Sequence, residues 1–251
     1  MSPRLKTFNH LLVFLLVLFL NGCATIYNPA TQRKEYYLIG TKQEVAMGQE
    51  MDGALQEKLT MLNSPLMLIR LNRIGERIAA VSDRQDLVYT FKIVQDKELN
   101  AFAIPGGFVY VHSALMDLAT DDELAGVLAH EIGHVAARHS VKRLQTALGY
   151  QIVMGIALGL SGQQDMGQAL DIVFNLTTLG YGRKDELLAD KLAVKYTRLA
   201  GFNPNGIVTF FEKLMKASED KGASRVPVFL SSHPEMQERI RQVKIEIETT
   251  P

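Results

Sequence analysis

"LAHEIGHVAARH", Leu128 to His139, sets three of the chain's six histidines and one glutamate within ten residues. On an α-helix His130 and His134 stand one turn apart, about 6 Å along the axis, so both imidazoles face one point in space. A tetrahedral cation held at about 2.0 to 2.1 Å from each ring nitrogen needs that convergence. Glu131 is rotated by about 100° from His130, which takes it away from the ligand position but leaves it in reach of a water beside the metal, as a general base. Leu124, Val127, Leu128 and Val135 cover so much of the same helix that it is expected to be buried. Two histidines and a glutamate on a buried helix must be paired or metal-bound.

A third protein ligand has to come from elsewhere. His139 lies five residues beyond His134, not six, and Ala137 stands where the metzincin pattern has glycine, so that class is excluded and His139 reads as structural. "KDELLAD", Lys184 to Asp190, offers Glu186 and Asp190, one helical turn apart. One of the two can bind the metal while the other accepts a hydrogen bond from a ligating histidine.

The rest of the chain frames that site. Its 251 residues are 47% hydrophobic and 22% charged, which excludes disorder and allows one sizeable core. With 27 basic and 27 acidic residues and no long run of one sign, nothing suggests nucleic-acid binding. Between Leu87 and Ser113 the period is two: "LVYTFKIVQ", "LNAFAIP", a Gly106–Gly107 turn and "FVYVHS" read as paired strands. Thr41 with Glu44, and Thr120 with Glu123, have capping-box spacing. Helices are expected from Thr41 to about Leu62, over roughly 66 to 81, from near Asp121 through His130, and over about 183 to 200, where Gly201 and Pro204 stop the last. Strands early and helices late give a mainly helical α+β domain with a small sheet, over 42–251.

Residues 1–22 read differently. Arg4 and Lys6 precede "LLVFLLVLFL", Leu11 to Leu20, about 15 Å as a helix, too short to span a membrane and right for a signal peptide. "LNGC", Leu20 to Cys23, resembles the bacterial lipobox, with Asn21 a departure from the usual small or apolar residue. Cys23 is the only cysteine, so it has no disulfide partner and stands where lipidation requires it. By the same resemblance Ala24, rather than Asp, directs the lipoprotein to the outer membrane, facing the periplasm. Cleavage removes two basic residues and leaves 25 against 27 acidic, a mature charge of −2. Residues 23–41 show no period and read as a tether.

HExxH followed by ExxxD on a later helix is the gluzincin arrangement. Here the chain resembles the membrane-associated and periplasmic zinc peptidases of the HtpX, BepA and LoiP type, a family that includes the CAAX prenyl proteases. "LNAFAIPGG", "LAHEIGHVAARH", "DELLAD" and "SSHP" occur in that family's order, across about residues 42 to 245. The likeness is greatest to the small lipoprotein members. The resemblance implies a zincin-like fold and one Zn2+ per chain held by His130, His134 and Glu186. It makes Glu131 the base and Asp190 the hydrogen-bond partner of a ligand. His233 would point into the cleft, to bind the oxyanion or to occupy the metal's open position in a latent form, and Arg239 would stabilise charge. Leu188 replaces the family's usual acidic residue before "AD", at a position that is not a ligand.

The implied function is zinc-dependent endopeptidase cleavage of misfolded or misassembled polypeptides in the bacterial cell envelope, with a membrane attachment through the N-terminal lipid and envelope chaperones or proteases as partners. The alternative is a membrane-anchored chaperone or assembly factor that holds unfolded clients, with proteolysis secondary or absent. "TALGYQIVMGIALGLS", Thr146 to Ser161, reads as buried or cleft-covering helix rather than a span. The stretch Leu144 to Leu179 is expected to form two short helices jointed at "SGQQDMG", covering the cleft in a resting state.

Overall fold

The computed structural model describes residues 24–160, 162, 167–171, 181–220, 229–230, 233 and 235–249. The expected signal peptide, Cys23 and most of "SGQQDMG" and "SSHP" lie outside these residues.

Two strands, β1 (Ala24–Asn28) and β2 (Arg33–Tyr37), open the described chain as an antiparallel hairpin, with Ala24 opposite Tyr37 and Asn28 opposite Arg33. The segment expected as a tether over 23–41 thus carries a hairpin, although no period announces it in the sequence. The hairpin's strands are short and mostly polar, and it is held to the domain both by the buried Tyr37 and Ala30 and by polar contacts. Lys142 donates to Glu35 at 2.8 Å, and Leu38 N–H donates to Gln145 at 2.9 Å. Such long-range partners leave no local pattern in the sequence.

Helix α1 (Thr41–Lys58) follows, and then α2 (Pro65–Ala79), which starts on its proline, where the missing N–H costs no hydrogen bond. Thr41 does not cap α1: Gly40 occupies that position, Thr41 donates to Asp86, and Glu44 is buried as an ion-pair partner. Burial of Glu44 against two arginines wins over the reach back to the helix end.

The three strands β3 (Thr90–Val94), β4 (Ala101–Ile104) and β5 (Phe108–His112) form one sheet in the order β3-β5-β4. β4 and β5 are the antiparallel hairpin that the alternation and the glycine pair predict. Gly106 turns the corner at φ 83°, a conformation that favours glycine. β3 instead pairs with β5 in parallel, Thr90 against Phe108, which the sequence does not announce because a parallel partner is reached by a long connection.

After α3 (Ser113–Leu118), helix α4 (Asp121–Ala136) runs through the centre of the molecule. Its capping box is formed as expected, and every residue from Glu123 to Ala136 is buried. Packed around it are α2, the β4 strand, α6 (Arg183–Leu199) and α7 (Asn205–Asp220), with α8 (Met236–Thr249) against α6 and α7. Gly133 lets α4 approach α6 closely: a Cβ there would sit 3.1 Å from the Ala189 carbonyl oxygen. The second half of the core lies between the other face of the sheet, α1 and α5 (His139–Ala157), where Met47, Met51, Leu55, Phe102, Tyr110, Val141 and Leu144 meet. Among the described residues no helix is long and apolar enough to cross a membrane.

Candidate metal centre

Helix α4 carries His130, Glu131 and His134, α6 carries Glu186 and Asp190, and the chain just before α8 carries His233, while Arg239 lies within α8. All seven are buried. His130, His134, Glu186 and His233 each turn one donor atom into a common space, and those atoms all lie within 4.8 Å of one another. His130 Nε2 is 3.0 Å from His134 Nε2 and 3.3 Å from His233 Nδ1. Glu186 Oε2 is 3.5 Å from His130 Nε2 and 2.9 Å from His233 Nδ1, and Glu186 Oε1 is 3.5 Å from His134 Nε2. Ligands at about 2.05 Å from a tetrahedral cation stand about 3.3 Å apart, so these separations are those of a coordination shell. Glu186 Oε1 and Glu131 Oε1 are also buried with no hydrogen-bond partner, a costly state for two carboxylates unless a cation compensates them. The donor set, three imidazoles and a carboxylate, fits a first-row divalent metal.

The surroundings hold those donors in place. His130 Nδ1 is 2.9 Å from Asp190 Oδ1, and Arg239 grips the same Asp190 through Nε at 2.7 Å and Nη2 at 2.6 Å. Arg239 Nη1 reaches Glu186 Oε2 at 2.8 Å and the His233 carbonyl at 3.3 Å, so one guanidinium ties together α6 and the turn that carries His233. On the other side His139 Nδ1 meets His134 Nδ1 at 2.8 Å, and the Tyr181 ring stacks on His134 with centroids 4.0 Å apart.

Electrostatics follow from this crowding. Burial pushes the Glu131 carboxyl up to about 8, only partly offset by His130. Burial also holds His134 down to about 3, against the pull of Glu186. His130 goes the other way, to about 9, because Asp190 and Glu186 outweigh burial and Arg239. Glu186 stays ionised well below the ordinary carboxylate value: burial opposes this, but His233 and Arg239 prevail.

The structure thus brings His130, His134, Glu131, Glu186, Asp190, His233 and Arg239 into one cluster. Cys23 lies outside the described residues. His139 and Tyr181, against the cluster, are what sequence reasoning missed; an imidazole five residues past a ligand has no helical reason to face it.

With that geometry in hand, residues 66–247 match the family described as Peptidase family M48. Metalloprotease LoiP of Escherichia coli (strain K12) is 33% identical over 157 residues, 61% of this chain and 61% of that protein. The beta-barrel assembly-enhancing protease of the same strain is 28% identical over 236 residues, 90% of this chain and 48% of that protein. The mitochondrial metalloendopeptidase OMA1 of Schizosaccharomyces pombe is 30% identical over 228 residues, 87% of this chain and 65% of that protein. The chain spans about half the length of the first curated relatives it matches.

Proposed function

The chain belongs to peptidase family M48, and from that premise we propose that it is a zinc-dependent endopeptidase of the bacterial cell envelope. The observation that carries this reading is the shell-like set of donors from His130, His134 and Glu186, with the unpartnered Glu131 Oε1 beside it. Zinc held there would supply Lewis acidity, polarising a scissile carbonyl and acidifying a water.

The chain's own residues do the rest. Glu131 takes the proton of the attacking water and returns it to the leaving amine. Asp190 accepts the hydrogen of His130 Nδ1 and so fixes which nitrogen faces the metal. Arg239 acts by clamping Asp190 and Glu186, a more specific role than the general charge stabiliser expected from sequence. β4 is an edge strand of its sheet and packs against α4, which carries Glu131. An extended polypeptide adding to that edge lays its backbone beside the base and is recognised by main chain rather than by sequence.

His233 Nδ1 lies within the same donor set, 3.3 Å from His130 Nε2 and 2.9 Å from Glu186 Oε2, so it would hold a metal there alongside His130, His134 and Glu186, in place of a substrate oxygen or water. That position favours a resting role for His233, released when substrate enters, over the oxyanion role while the ring stays there. Cys23 is proposed as a lipidated N-terminus that attaches the protein to the outer membrane facing the periplasm, with misfolded or misassembled envelope proteins as substrates and envelope chaperones or proteases as partners. Casein cleavage by the purified chain, abolished by a chelator and restored by zinc, tests the enzymatic reading; cleavage indifferent to the chelator contradicts it.

A further inference from the structure

Past the end of α4 the chain makes one unusual step. Ala137 is still right-handed, but Arg138 is left-handed, at φ 55° and ψ 35°, a conformation that side-chain-bearing residues rarely adopt. On an uninterrupted helix His139 would be about 140° around the axis from His134 and could not meet it. The left-handed step at Arg138 brings it back, so that the two Nδ1 atoms stand 2.8 Å apart with both rings buried. The step is held from outside: Arg138 Nη2 donates to the Ile39 carbonyl at 3.0 Å and pairs with Glu44 at 2.9 Å, and the guanidinium lies 4.0 Å from the centre of the Tyr37 ring.

Proton bookkeeping fixes the direction of the contact. His134 turns Nε2 into the donor cluster, 3.0 Å from His130 Nε2, so a metal there takes the Nε2 lone pair and leaves the hydrogen on Nδ1. Among the described residues the side-chain acceptor within hydrogen-bond distance of that nitrogen is His139 Nδ1, which must then be bare. The hydrogen of His139 falls on Nε2, which stands 3.4 Å from Asp185 Oδ1. We propose that His139 is a positioning residue for the metal: as acceptor of the His134 Nδ1 hydrogen it fixes the tautomer and ring plane of that ligand, as Asp190 does for His130, with Asp185 behind it. The proposal rests on His134 being a metal ligand, and it assigns a role to a histidine that spacing alone makes look structural.

Three substitutions and two kinds of spectrum test it. An asparagine side chain can place its amide oxygen near the position of the His139 Nδ1, so His139→Asn keeps an acceptor, whereas His139→Ala and His139→Leu do not. Zinc affinity is read by competition with a chromophoric chelator, and the cobalt-substituted chains by their visible d–d bands. Loss of such an outer partner weakens metal by roughly 10- to 100-fold, and this is expected for the Ala and Leu variants, with His139→Asn within about threefold of the unsubstituted chain. His139→Leu binding as tightly as the unsubstituted chain, or His139→Asn as weakly as His139→Ala, would overturn the proposal by showing that the ring only fills space. Long-range proton–nitrogen spectra of the zinc-loaded unsubstituted chain need no variant to fold: His134 should carry its hydrogen on Nδ1 and His139 on Nε2. His139 protonated on Nδ1 also overturns it. If the unsubstituted chain takes up no zinc at all, the metal reading fails first and this proposal falls with it.

Discussion

At the scale of single residues, the two histidines of α4 proposed as metal ligands are oriented by different means. His130 leans on a carboxylate that is itself gripped bidentately by Arg239, an arrangement in which no member can be removed without leaving a buried charge uncompensated. Asp190→Ala should therefore weaken zinc binding by about 10- to 100-fold, measured by chelator competition; unchanged affinity would show that Arg239 alone positions the site. His233 behaves oppositely if its ring closes the fourth corner in the resting chain. His233→Ala should keep zinc and raise basal peptidase activity, and a fall in activity would return His233 to the oxyanion role. The convergence of His130 and His134 with Glu131 beside them was legible in "HEIGH" because a helix repeats every 3.6 residues and places them without help. His139 was not, because its position depends on one left-handed residue held by contacts some hundred positions away in sequence.

At the scale of elements, α4 works because its start is fixed. Glu123 accepts from Thr120 N–H at 2.8 Å and from Lys213 at 2.7 Å, joining the helix end to α7. Burial raises the Glu123 pKa, but Lys213, with Thr120 and Thr209, brings it below its ordinary value of 4.5. A carboxyl that holds its proton less tightly when folded stabilises the fold above that ordinary value, and the stabilisation is lost as pH falls through the lowered folded value. Glu123→Gln should accordingly cost about 1 kcal/mol at pH 7 and progressively less as pH falls below 4.5 and through the lowered folded value, read as the difference in Tm between the two chains. A difference that stays constant with pH would mean that the amide's lost packing, not the charge, sets the cost. The capping box and the glycine turn between β4 and β5 were readable because each is local chemistry at fixed offsets. The parallel partner of β5 was not, since register across a long connection is set by which faces bury. The expected joint at "SGQQDMG" falls largely outside the described residues, but α5 does break, at Gly149 with φ 72° and ψ 175°, in a region open only to glycine.

At the scale of the whole molecule, the N-terminal hairpin, α1 and the turn after α4 are locked by one buried charge cluster. Glu44 meets Arg84 at 3.1 Å and Arg138 at 2.9 Å, and the Tyr37 ring covers Arg138 from the hairpin side. Glu44→Gln removes the carboxylate that both guanidiniums share and should destabilise the fold by about 3–5 kcal/mol, a clear fall in Tm, while a shift near zero would mean that Asp86 and the Ile39 carbonyl suffice. Because that cluster also holds Arg138, the segment nearest the proposed lipid attachment is coupled to the turn that brings His139 to the metal centre. The central claim, a metal held by α4 and α6 with Glu131 as base, is tested most directly by measuring zinc content and casein cleavage on one preparation of Glu131→Gln. Removing the base and none of the ligands predicts about one zinc per chain with cleavage lost. A zinc-loaded Glu131→Gln chain that cleaves casein as fast as the unsubstituted protein would contradict the account.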